Sequence, residues 1–124
     1  MKSHAANRRQ SAPSLGDVVD LGHLGHYTMG DVKLERELLR MFSSEAGQMR
    51  ANLDGDRDVA EWKMTCHTLK GAAMAVGAFA IAKVARALEE AGVEAPDELL
   101  AELDGHLEEF RAAFTHWQAQ VLAA

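Results

Sequence analysis

The apolar positions between residues 59 and 76 constrain the fold most. Val59, Trp62, Cys66, Leu69, Ala73 and Val76 follow one another at steps of three and four residues, which places them on one stripe of an α-helix. A stripe this narrow has to be covered by other helices. Three more segments carry the same alternation. Leu34, Leu38, Phe42, Met49 and Leu53 mark a helix that opens near Thr28 to Asp31 and stops at Asp54-Gly55. Ile81, Val84 and Leu88 mark another over Ala78 to Ala91, closed by Gly92. Leu100, Leu103, Leu107, Phe110, Phe114, Trp117 and Val121 mark the last.

The ends of these segments carry their own signals. Thr28 and Asp31 stand three apart in the manner of a capping box, and the second helix begins near Asp56 or Asp58. Glycine at 77 ends it. Pro96 suits the first turn of the last helix, with Asp97 and Glu98 favourable at its dipole. Short connections make neighbouring helices antiparallel, so the expected fold is all-α: an antiparallel up-down-up-down four-helix bundle. The stretch from Leu15 to Leu24 is too short to be a stable helix alone. It is expected as a short N-terminal lead-in helix, lying as a lid across one end. A chain of 124 residues with only two prolines and few aromatics is consistent with one such domain. The boundaries read from sequence are a disordered basic tail over 1–16 and the bundle over 17–124.

That tail holds Lys2, Arg8 and Arg9 and no acid, whereas the whole chain has a net charge of −6. An acidic body is a poor nucleic-acid binder, because phosphate neutralisation dominates that affinity. No apolar run is long enough to cross a bilayer, and no secretory h-region precedes the bundle. The single cysteine, Cys66, excludes an internal disulfide and fits a reducing cytoplasm. Met1 and a bundle complete from cap to cap point to a freestanding protein, expected to be a monomer.

Within the second helix stands Cys66-His67-Thr68-Leu69-Lys70-Gly71-Ala72-Ala73. His67, Lys70 and Gly71 are at i, i+3 and i+4 and so share a helix face. His67 lies about 100° round from Cys66, on the flank of the apolar seam and half in water. A glycine inside a helix costs about 1 kcal/mol relative to alanine. The triplet reads as a nucleophile, a cation beside it, and a gap where a side chain would obstruct an approaching partner; close helix packing is the competing reason for Gly71. Folding the third helix back about Gly77 brings His67 level with about residue 87. Lys63, Met64, Met74, Lys83 and Arg86 then become candidates for a docking rim, with Glu89 and Glu90 nearby.

The run from His67 to Ala73, followed by Val76-Gly77-Ala78, resembles the signature of the histidine-containing phosphotransfer (HPt) domain family. The likeness extends to Gly30-Asp31, Glu37-Leu38-Leu39, Phe42 and Leu88-Glu89, over roughly residues 17 to 120. It implies a phosphocarrier of a multistep two-component relay, with His67 as the phospho-acceptor, through Nε2, and response-regulator receiver domains and a hybrid sensor histidine kinase as partners. Lys70 would offset phosphoryl charge and Gly71 would leave room for the partner, while Mg²⁺ and the remaining catalytic groups would belong to the receiver. The sequence offers no cofactor or metal site and no glycine-rich phosphate loop, so the chain is expected to be a relay component and not an enzyme. Two rivals remain. One is a docking protein that inhibits a kinase or receiver without transfer. The other is a metal- or haem-binding bundle using His23, His26, His106 or His116, although no Glu-x-x-His pairs of the di-iron type are present.

Overall fold

The computed structural model describes residues 12–55 and 58–123. Its elements are α1 (Leu15–Val18), α2 (Leu21–Thr28), α3 (Val32–Asn52), α4 (Val59–Val76), α5 (Phe79–Ala91), a 3₁₀ turn (Gly92–Glu94) and α6 (Asp97–Ala123), with no strand among the described residues. The four long helices form the expected bundle, and α4 and α5 are the most extensively packed pair.

Local chemistry sets the ends. Asp58 caps α4 by accepting from the backbone N–H groups of Ala60 and Glu61, which satisfies donors the first turn leaves orphaned. Its other candidate cap, Asp56, lies outside the described residues. Asp31, not Thr28, caps α3, accepting from the Leu34 N–H. Thr28 ends α2, and its buried hydroxyl donates to Glu35 Oε2 at 2.8 Å. The pair expected as one capping box therefore works as two separate clasps. Pro96 directly precedes α6, its carbonyl accepting from the Leu99 N–H.

The apolar seams meet in one core. On α4 the seam starts at Trp62 and runs through Cys66, Leu69, Ala73 and Val76. Val59, expected to begin it, is 68% exposed at the first position after the Asp58 cap. On α3 the inward positions are Leu39, Phe42, Ala46 and Leu53, with Leu38 and Met49 partly buried. Leu34 is 41% exposed, a correction to its expected inward place. Two leucines in sequence offer two stripes, and the one through Leu39 and the small Ala46 lets α3 sit close. From α6, Leu100, Leu103, Leu107, Phe110 and Phe114 are buried, and Phe110 meets Phe42 edge-on with ring centroids 5.1 Å apart.

The lead-in is two short helices where one was expected. They break at Val19 and Asp20, both in extended backbone. Asp20 then reaches the turn between α4 and α5, donating its N–H to the Gly77 carbonyl at 2.9 Å. Gly77 has φ +85°, and a Cβ there would fall 3.0 Å from the Asp20 carbonyl. Only glycine satisfies both the left-handed turn and that approach. The lead-in thus clasps the end of the bundle where α4 turns into α5. Residues 1–11 of the basic tail lie outside the described residues; Leu15, near its expected end, is already helical and buried.

Candidate functional site

His67 stands in the middle of α4, a straight run of good helix formers between the Asp58 cap and the Gly77 stop. The core direction of α4 is defined by Trp62, Cys66, Leu69 and Ala73, so His67 projects on the outer flank with its side chain 65% exposed. The outer face of the same helix carries Lys63, Met64, Gly71 and Met74, all exposed. Helical spacing makes these one ridge with His67 near its centre.

The partner that sequence reasoning left as a rim candidate is Glu89 of α5. The imidazole Nδ1–H donates to Glu89 Oε2 at 3.2 Å, since an ionised carboxylate can only accept. The other oxygen, Oε1, pairs with Lys70 Nζ at 3.3 Å. One carboxylate therefore holds both the histidine and the lysine. Glu89 is sheltered, with its side chain 17% exposed. Desolvation pulls its carboxyl up, but the hydrogen bond and charge of Lys70, followed by those of His67, outweigh it and hold the group below its ordinary value. His67 thus meets residue 89 through its side chain, close to the level expected near residue 87.

A buried hydrogen bond ties the two helices together next to this contact. Trp62 Nε1–H donates to the Leu88 carbonyl at 3.0 Å, which also accepts the Gly92 N–H at the end of α5. A buried indole needs such a partner, and Leu88 adjoins Glu89. Beneath the site, Cys66 is fully buried; burial, and secondarily the Glu89 charge, push its thiol up to about 11. At neutral pH it is a packing group and not a nucleophile.

Gly71 faces open space. A Cβ built on it meets nothing within 4 Å, so close helix packing does not account for it. Of the remaining rim candidates, Arg86 is exposed and paired with Glu90 on α5. Lys83, one turn before Arg86 on the same helix, lines a shallow groove with Val84, Ala87, Leu99, Glu102 and His106 between α5 and α6.

The histidines weighed as metal or haem ligands have other surroundings. His23 packs edge-on against Tyr27 and Phe79, with ring centroids 5.3 and 5.2 Å away, and His106 faces Glu102 at 3.8 Å. No group of three or more His, Cys, Asp or Glu that could hold a metal occurs among the described residues. No helix among them is long and apolar enough to cross a membrane.

Comparison with known proteins agrees on one point. The profile of the Hpt domain family matches residues 37–113, more than half of the chain, from within α3 into α6. This span contains His67, Lys70, Gly71 and Glu89. No curated protein and no solved structure matches the chain significantly.

Proposed function

Because the chain belongs to the Hpt domain family, whose members are phosphocarriers working with receiver domains and kinases in two-component relays, we propose that it accepts a phosphoryl group on His67 and passes it to a receiver aspartate. The observation that carries this reading is the exposed imidazole whose Nδ1–H is tied to Glu89. With the proton on Nδ1, the lone pair lies on Nε2. Nε2 makes no hydrogen bond among the described residues.

The step is a displacement at phosphorus. The Nε2 lone pair forms a bond to the phosphorus of a receiver acyl phosphate, the bond from phosphorus to the carboxylate oxygen breaks, and the carboxylate leaves with that electron pair. The ring becomes a phosphorylated imidazolium, still protonated on Nδ1. Such transfers need positioning and charge stabilisation more than covalent help. Lys70, three residues on along the same face, is within reach of phosphoryl oxygens, and Gly71 leaves the approach open. Lys63, Met64, Met74 and Arg86 form the docking rim, where adaptable methionines suit more than one receiver surface. The receiver supplies its Mg²⁺ and acidic pocket.

The test is to incubate the protein with a phosphorylated receiver and look for acid-labile, alkali-stable phosphate on it. His67→Gln is expected to remove the label entirely. Labelling that survives this substitution would refute the site, and failure with every receiver and hybrid kinase of the source organism would refute the function.

A further inference from the structure

We infer, resting on the carrier reading above, that Trp62 is a positioning residue for the transfer: its buried indole aims the Leu88 carbonyl, and with it the peptide unit that carries Glu89 to the ring of His67. The indole Nε1–H donates to that carbonyl at 3.0 Å. The Leu88 carbonyl and the Glu89 backbone nitrogen belong to one planar unit. A bond that fixes the direction of the first therefore fixes the plane from which the Glu89 side chain departs. Trp62 stands on the core seam of α4, five residues before His67, and is 3% exposed, out of a partner's reach. It acts through Glu89.

Glu89 needs such support because of where it stands. It lies in the last turn of α5, which closes at Ala91 and leaves through Gly92 with φ +78°. The last carbonyls of a helix lack regular partners within it, and such ends fray. His67 at 3.2 Å and Lys70 at 3.3 Å hold only the far end of the Glu89 side chain, where water competes. Its near end is backbone. There the Leu88 carbonyl accepts the Gly92 N–H along the helix and the indole N–H across it, so both of its lone pairs are used. Leu88 is 0% exposed, and a hydrogen bond in such surroundings is stronger than one in water. Burial of the Leu88 side chain sets how close α5 comes to α4. The indole sets which way its last turn faces.

The test removes the donor and keeps the shape. The chain has two tryptophans, so in a Trp117→Phe background Trp62 alone is exchanged for benzothienylalanine, whose ring sulfur takes the place of the N–H. Trp62→Phe in the otherwise wild-type chain is a second variant without the donor. Each is compared with its own parent, with and without Glu89→Ala. The ¹⁵N signals of the His67 ring report its tautomer in the unphosphorylated chain and need no receiver. Both parents should hold the proton on Nδ1, and each donorless variant should move it in part to Nε2. With a phosphorylated receiver, kcat should fall about fivefold, the order that one net hydrogen bond supplies. KM should hold, since the docking rim is untouched. Where Glu89→Ala is present, loss of the donor should lower kcat no further, because no carboxylate remains to be placed. Unshifted ring signals in both variants would overturn the inference. So would an equal loss of kcat with and without Glu89, the mark of a merely structural role, or an effect confined to KM. Shifted ring signals in a chain that no receiver can label would overturn the carrier reading and leave the placement of the ring standing.

Discussion

Replacing Gly71 should make the protein more stable and less able to transfer. The residue lies in the interior of α4, is exposed, and an added Cβ meets nothing within 4 Å. Gly71→Ala therefore gains the helix propensity that glycine forgoes, about 1 kcal/mol, with no steric cost in the monomer. An unfolding entropy of about 2 cal/mol/K per residue amounts to roughly 0.25 kcal/mol/K over this chain, so the melting temperature should rise by about 4 °C. Gly71→Gln should still melt above wild type, because glutamine is also a good helix former. Transfer should move the opposite way. The reacting atoms must come within ~3–3.5 Å, and a displacement of 1 Å can cost 10²-fold. Alanine should slow labelling several-fold and glutamine by about 100-fold. Gly105 provides the control: it also lies inside a helix, α6, and has nothing within 4 Å of an added Cβ. Gly105→Ala should give the same stabilisation with unchanged labelling. Calorimetry and the rate of label transfer from a phosphorylated receiver measure the two effects. Wild-type transfer in Gly71→Gln would refute the access role, and a lower melting temperature in Gly71→Ala would show that the fold itself needs the glycine.

Three further outcomes follow from the geometry. Met29 ends α2 in the left-handed region at φ 52° and is 91% exposed, so Met29→Gly should add about 1 kcal/mol by relieving that strain, read as a higher urea midpoint; no gain would mean its side chain contributes a contact. Arg50 holds Asp104 of α6 at 2.6 and 3.2 Å and Asp54 at 2.8 Å, and a double-mutant cycle on Arg50 and Asp104 should give a coupling of about 0.5–1 kcal/mol, discounted because Asp104 is half exposed, that shrinks with salt. Glu89 is held below its ordinary value of 4.5; its contribution to stability is complete above that value and is lost as pH falls through the lowered native one, so the melting difference between wild type and Glu89→Gln should disappear in acid.

The parts of the fold legible in the sequence are those set by period and by local stop signals. Trp62, Cys66, Leu69 and Ala73 are on the core face because a spacing of three and four admits only one face. Asp58 and Gly77 bound α4 because their chemistry is local. Errors arose where two solutions had equal local support. Leu38 and Leu39 are adjacent, and the choice between their stripes depends on Ala46 lying against a neighbour, which only the packed bundle decides. The break at Asp20 was hidden for a similar reason. Its cause is the hydrogen bond to Gly77, a residue nearly 60 positions away.

The site divides along the same line. His67, Lys70 and Gly71 occupy one turn, so their shared face follows from helical pitch alone. Glu89 arrives from another helix, so helical pitch alone does not say which of the residues near 87 meets the ring. Folding about Gly77 as a symmetric hinge gives only an approximate level, because side chains lean along the helices as well as across them. Close by, Trp62 ties the two helices together. Its indole N–H, buried with the core, must find an acceptor, and the Leu88 carbonyl at the fraying end of α5 has a lone pair to offer beyond the bond it accepts from Gly92. The indole thus pins the residue next to Glu89, about one and a half turns before His67 on α4. A hydrogen bond with no chemistry of its own places the carboxylate that orients the histidine. The signal was present as a tryptophan on the core seam with a polar handle that water could not satisfy.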